Sequence, residues 1–77
     1  ETIERKERAA VLHAAIGTLS EQYRSIIILR EIEGCNYDTI ANILSISSGT
    51  VRSRLHRARL QLKEKLLPLL NEHPSLS

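Results

Sequence analysis

Apolar residues recur at helical spacing along most of the chain, and small polar residues with capping chemistry punctuate them. From about Thr2 to Thr18, Ile3, Leu12, Ala15, Ile16 and Leu19 predict a first helix, which Gly17 weakens near its end. Ser20 suits an N-cap, and Glu21 would face the positive end of a second helix dipole. Four successive aliphatic residues, Ile26 to Leu29, wrap most of that helix and mark it as the most buried element. Gly34 suits the left-handed position that ends it. Asn36 then caps a short third helix, Tyr37 to Leu44, with Asp38 in its first turn. After the turn Ser45-Ile46-Ser47, a fourth helix runs from about Ser48 to Leu66, with a continuation past Pro68 left open. Residues 72–77 are expected to form a frayed tail. No strand pair, internal repeat or low-complexity linker can be discerned. The expectation is an all-α domain over residues 1–77, with four helices.

The fourth helix is the informative one. At about 100° per residue, Val51, Leu55, Ala58, Leu62 and Leu66 fall on one narrow stripe. Ser53, His56, Arg57 and Leu60 lie opposite, with Arg52, Arg59 and Lys63 on one flank and Arg54 and Gln61 on the other. The third helix offers Ile40, Ala41 and Leu44 inward, and the turn offers Ile46. A short helix, a tight turn with one inward aliphatic, then a long helix with outward cations form a helix-turn-helix over about residues 36–66. The inner stripe should meet Leu12, Ile16, Ile26, Ile27, Leu29, Ile40 and Leu44. That leaves Leu60, Leu67, Leu69 and Leu70 over, with Leu60, Leu67 and Leu70 as a surface for a protein partner, unless the last leucines fold back over the first helix.

Composition narrows the class. A chain of 77 residues with 42% hydrophobic and 26% charged residues is one small globular unit, with an aliphatic core because Phe and Trp are absent. No apolar run approaches the ~18–20 residues of a membrane helix, so no membrane insertion is expected. A lone Cys35 and no secretory leader agree with a reducing, cytoplasmic setting. The chain opens on Glu1 inside a helical pattern, as expected of a piece of something longer. His13, His56, His73 and Cys35 lack paired-ligand spacing, and no catalytic triad, phosphate loop or carboxylate cluster is present. Neither metal, cofactor nor catalytic residue is expected, and the chain is not read as an enzyme.

Net charge is only +2, but residues 48–66 carry six cations and one anion, whereas residues 1–47 sum to −2. One helix holds the positive field, as a phosphate-binding element would. Its first outward turns present Ser48, Gly49, Thr50, Arg52, Ser53, His56 and Arg57. Arginine can grip guanine bidentately in the major groove, while hydroxyls and free N–H groups of a helix start can hold phosphate oxygens. Gly49 would keep the backbone bare where it nears a DNA strand. A basic amphipathic helix alone is more often a solvated face. The capped helix and turn in front of it favour DNA. Arg30, at the end of the second helix, is either a dipole partner or a backbone phosphate clamp.

The stretch LSEQYRSIIILREIEGCNYDTIANILSISSGTVRSRLHRARLQLKEKL resembles region 4 of bacterial RNA polymerase sigma factors of the extracytoplasmic function (ECF) group. The resemblance rests on Leu19 and Arg24 before the aliphatic run, Leu29-Arg30-Glu31, Gly34 ahead of Tyr37, Ile40-Ala41, and Gly49 to Leu55 followed by Arg57-Ala58-Arg59. It covers roughly residues 12–66. Ser48 stands where relatives often carry Pro, and His56 where they often carry an aromatic residue. The resemblance implies recognition of the promoter −35 element by the second helix of the helix-turn-helix. It also implies docking on the flap of the polymerase β subunit and masking by an anti-sigma factor. The region 2 that reads the −10 element lies outside this stretch, as expected of a piece of something longer. Two other readings are a helix-turn-helix output domain of a response regulator and a purely protein-binding module.

Overall fold

The computed structural model describes the backbone of residues 3–71 and the side chains of residues 5–71. Within them, the chain forms α1 (Ile3–Gly17), α2 (Glu21–Ile27), α3 (Tyr37–Leu44) and α4 (Ser48–Asn71), with no strand. Thr2, His73 and the expected tail at 72–77 lie outside the described residues. A π-helical turn, Ile28–Ile32, continues α2 directly and was not foreseen. The fourth helix passes Pro68, which deprives the Glu64 carbonyl of its helical donor without ending the helix. At 24 residues, α4 is about 36 Å long and sets the 40 Å long axis of the molecule.

The core lies where α1, α2 and α3 converge on the first half of α4. Ile26 and Ile27 of α2, Ile40 of α3 and Val51 of α4 are wholly inaccessible, as are Ala15 and Ala58. Burying such a side chain is worth about 1.5–3 kcal/mol for Ile or Val. The second helix is less uniformly buried than expected, because Ile28 and Leu29 remain half-exposed. On α4 the stripe is closed at Val51, Leu55 and Ala58, but Leu62 and Leu66 are only half-buried. The helix outruns the elements available to cover it.

One core assignment changes. Leu12 is 37% exposed, and Val11 takes the buried place, at 6%. Val11 lines an open groove with Leu69 of α4 and with Glu7, Ala10 and Ala14, of which Ala10 and Ala14 stay exposed.

Local chemistry sets the turns. Asn36 caps α3, its Oδ1 accepting from Thr39 N–H at 2.8 Å. Ser20 stands at the start of α2 but makes no side-chain cap bond, contrary to expectation. Gly34 adopts φ +72°, the left-handed closure expected of it. The π turn widens this closure. Glu33 N–H bonds Ile28 O, five residues back, and Cys35 N–H bonds Leu29 O, six back, both at 2.9 Å. A standard Schellman closure would span one residue fewer. Between α3 and α4, Ser45 is left-handed at φ 56° and Ile46 N–H bonds Ala41 O at 3.0 Å, which turns the half-buried Ile46 inward. Arg24 reaches back to the carbonyls of Gly17 and Leu19 at 3.4 Å each, spanning the α1–α2 joint.

Candidate nucleic-acid interface

The start of α4 is built by Ser47. Its Oγ accepts from Thr50 N–H at 3.1 Å and pairs with Thr50 Oγ1 at 2.8 Å. Ser47 thus fills the cap position just before the helix, satisfying one of its orphan donors. The sequence had assigned this residue only to the turn. Its signal was Ser47 three positions ahead of Thr50. Ser53 Oγ donates to Thr50 O at 3.2 Å. The hydroxyls expected to serve a ligand are thereby already oriented, with acceptor and rotational capacity left on exposed Ser53.

Ser48, Gly49, Thr50, Arg52, Ser53, His56 and Arg57 come together on the first turns of α4, all exposed except half-buried Thr50. A Cβ on Gly49 would meet only Ser47 Oγ, at 4.0 Å, so nothing inside the domain demands glycine there. Among the described residues, no hydrogen bond or ion pair engages the side chains of Arg52, Arg54, His56 or Arg57. Val51, Leu55 and Ala58 hold the opposite face in the core, so this cationic row cannot rotate inward.

Arg30 is placed differently. It is half-buried in the π turn, its Nη1 donates to Cys35 O at 2.9 Å, and its guanidinium lies 5.2 Å from the Tyr37 ring centre. It ties the π turn to the start of α3, with further N–H donors left over. A second link was invisible in the sequence, because its partners stand 28 positions apart: Arg59 Nε donates to Glu31 Oε1 at 2.7 Å, and Nη2 contacts the same oxygen.

Of the leucines expected to meet a partner, Leu60 and Leu67 are 52% and 51% exposed, whereas Leu70 is half-buried. The structure adds an open apolar groove of about 300 Å³ between the π turn and α3, lined by Ser25, Ile28, Leu29, Ile43 and Leu44. Among the described residues, Ile43 is the most exposed large apolar one, at 55%. It lies only about 60° round α3 from the fully buried Ile40, at the rim of the core where the open groove leaves it uncovered.

The family described as Sigma-70, region 4 matches residues 9–62, which contain α3 and the first part of α4. The chain belongs to this family. Similar proteins include the RNA polymerase sigma-H factor of Pseudomonas aeruginosa, 44% identical over 68 residues, covering 88% of this chain and 35% of that protein. The ECF RNA polymerase sigma-E factor of Haemophilus influenzae is 41% identical, covering 83% and 34%. The protein of the same name in Escherichia coli is 40% identical, covering 84% and 34%. This region 4 domain spans about a third of the length of these relatives. Its motif residues now have physical places. In this region 4 domain Arg24 spans the α1–α2 joint, Arg30 and Glu31 anchor the π turn, Gly34 closes it, and Gly49 to Leu55 form the α4 start. No helix among the described residues is long and apolar enough to cross a membrane.

Proposed function

We propose that this region 4 domain recognises promoters in transcription initiation by laying the first turns of α4 in the major groove of the −35 element. The observation that carries this is the row of exposed, unpaired Arg52, His56 and Arg57 with Ser53, held outward by a fully buried opposite face. Arg52 and Arg57 suit guanine O6 and N7 or adjacent phosphates, and the N–H groups around Ser48, Gly49 and Thr50 suit a phosphate. Arg30 serves as a backbone clamp through the donors it does not spend on Cys35. The domain acts in the cytoplasm, where the promoter DNA is, and takes no catalytic part and no cofactor.

RNA polymerase core is the second partner, through its β-subunit flap, and an anti-sigma factor is a third. The names of the relatives support the polymerase, and the exposed apolar surface supports docking, with Leu60, Leu67 and Leu70 on α4 and the Ile28–Ile43 groove as docking surfaces. Both partners would lay a helix on an apolar face. The response-regulator alternative has no comparable support from the relatives. The test is binding of the chain to a duplex selected from a random pool, against a scrambled version. Selective binding lost on replacing Arg52 and Arg57 by Ala supports the reading. Equal binding to both duplexes ends the claim of promoter recognition.

A further inference from the structure

The cations of α4 are not equivalent. Arg52 and Arg59 stand seven residues apart, within about 20° of the same azimuth and about 10.5 Å apart along the axis. A major groove is about 12 Å wide. With the start of α4 in the groove, Arg59 therefore sits at its rim, where the phosphates run. Yet Arg52 is unpaired, whereas Arg59 places both Nε and Nη2 on the carboxylate of Glu31. The pair is open to solvent, at 48% and 43% side-chain exposure, so a phosphate could reach it. An exposed ion pair of this kind contributes little to stability. Nothing in the core requires it: neither Glu31 nor Arg59 is buried.

We propose that Glu31, carried on the π turn, withholds Arg59 from the DNA backbone and so attenuates the affinity of α4 for any duplex. This rests on the DNA-binding reading of α4. The attenuation is independent of base sequence, because Arg59 at the rim faces phosphates and not base edges. Lowering sequence-independent affinity while leaving Arg52 and Arg57 free raises the share of binding that depends on base contacts. Glu31 lies within the π turn, whose wide closure is fixed by Glu33 N–H on Ile28 O and Cys35 N–H on Leu29 O.

The experiment measures binding of the chain to a fluorescein-labelled duplex of random sequence, by anisotropy, across a salt series. Glu31→Gln should bind about threefold tighter at low salt, with a log K against log salt slope steeper by about 0.9, the equivalent of one added phosphate contact. Arg59→Ala alone exposes the Glu31 carboxylate and should weaken binding modestly, but by less than it does in the Glu31→Gln background. In the Glu31→Gln background it should remove the gain. Glu31→Ala, which also discharges the site, must reproduce the gain, and thermal melts must match wild type. If Glu31→Gln binds equally or more weakly, or Arg59→Ala costs as much alone as in the double variant, the pair is a positioning contact and the proposal fails. Wild-type chain that binds no duplex at any salt overturns instead the reading of α4 on which this rests.

Discussion

At the scale of single residues, glycines and caps separate conformational from contact effects. A Cβ at Gly17 or at Gly34 would meet nothing within 4 Å, so substitution at either position acts only through the backbone. Gly34 sits at φ +72°, where an L side chain costs about 1–2 kcal/mol, partly offset by the stiffer unfolded chain. Gly17 closes α1 without a positive φ. Gly34→Ala should therefore destabilise by about 1 kcal/mol, and Gly17→Ala should stabilise by about 0.5 kcal/mol, read by urea unfolding. Equal signs would contradict the backbone account. The caps give a second contrast. Asn36→Ala removes a 2.8 Å bond to Thr39 N–H and should cost about 1 kcal/mol. Ser20 makes no such bond, so Ser20→Ala should change stability by no more than about 0.5 kcal/mol. Residue type alone had made the two caps look alike, since capping depends on a rotamer and an approach that composition does not encode.

At the scale of elements, four helices and the helix-turn-helix were legible because each boundary had local chemistry: Asn36 before α3, Gly34 after α2, Ser45-Ile46-Ser47 between α3 and α4. The π turn was not. Ile26 to Leu29 are all apolar, so no change of period betrays where the extra residue enters. Val11 and Leu12 are adjacent aliphatics at similar phase to the buried Ala15, Ile16 and Leu19, so which of them is covered depends on tertiary approach that the helical period does not encode. Of the candidate site, the outward row on α4 was legible from helical phase alone, whereas the Glu31–Arg59 link depended on tertiary approach. Two predictions belong here. Arg57 is exposed and unpaired, opposite the buried stripe, so Arg57→Ala should cost about 1–3 kcal/mol of binding on the preferred duplex and relax preference at one base pair. The same loss on a scrambled duplex would reassign it to the phosphates. On the same helix, Leu67 is 51% exposed, so Leu67→Glu should leave the thermal midpoint within a few degrees of wild type while abolishing binding of a β-flap peptide. Unfolding of this variant, or undiminished flap binding, removes Leu67 from the docking surface.

At the scale of the whole molecule, positive charge is concentrated on one element against a net negative remainder. Residues 48–66 hold +5 and residues 1–47 hold −2, and the fold brings part of that negative charge, Glu31, onto the positive helix. The field available to a duplex is thus smaller than the sequence count suggests. Lys63 and Lys65 stand further along α4 than Arg59, more than a groove width beyond Arg52 and past the rim of a duplex that takes the helix start. What remains near the groove is Arg52 and Arg57, with Arg54 half-buried against the domain and Arg30 as a backbone clamp. Two to three neutralised phosphates should follow. At about 0.9 per contact, log K should fall against log salt with a slope of roughly 2 to 3, much shallower than the +5 of the helix would imply. Titrating one duplex from low to moderate salt measures this directly. A slope near 4.5 would mean that the whole helix lies along the backbone, and a flat response would mean that this face does not bind nucleic acid. Because the expected slope is shallow, the domain alone should hold DNA weakly, and tight promoter binding would require a second tethered contact, whose effective concentration multiplies the two affinities.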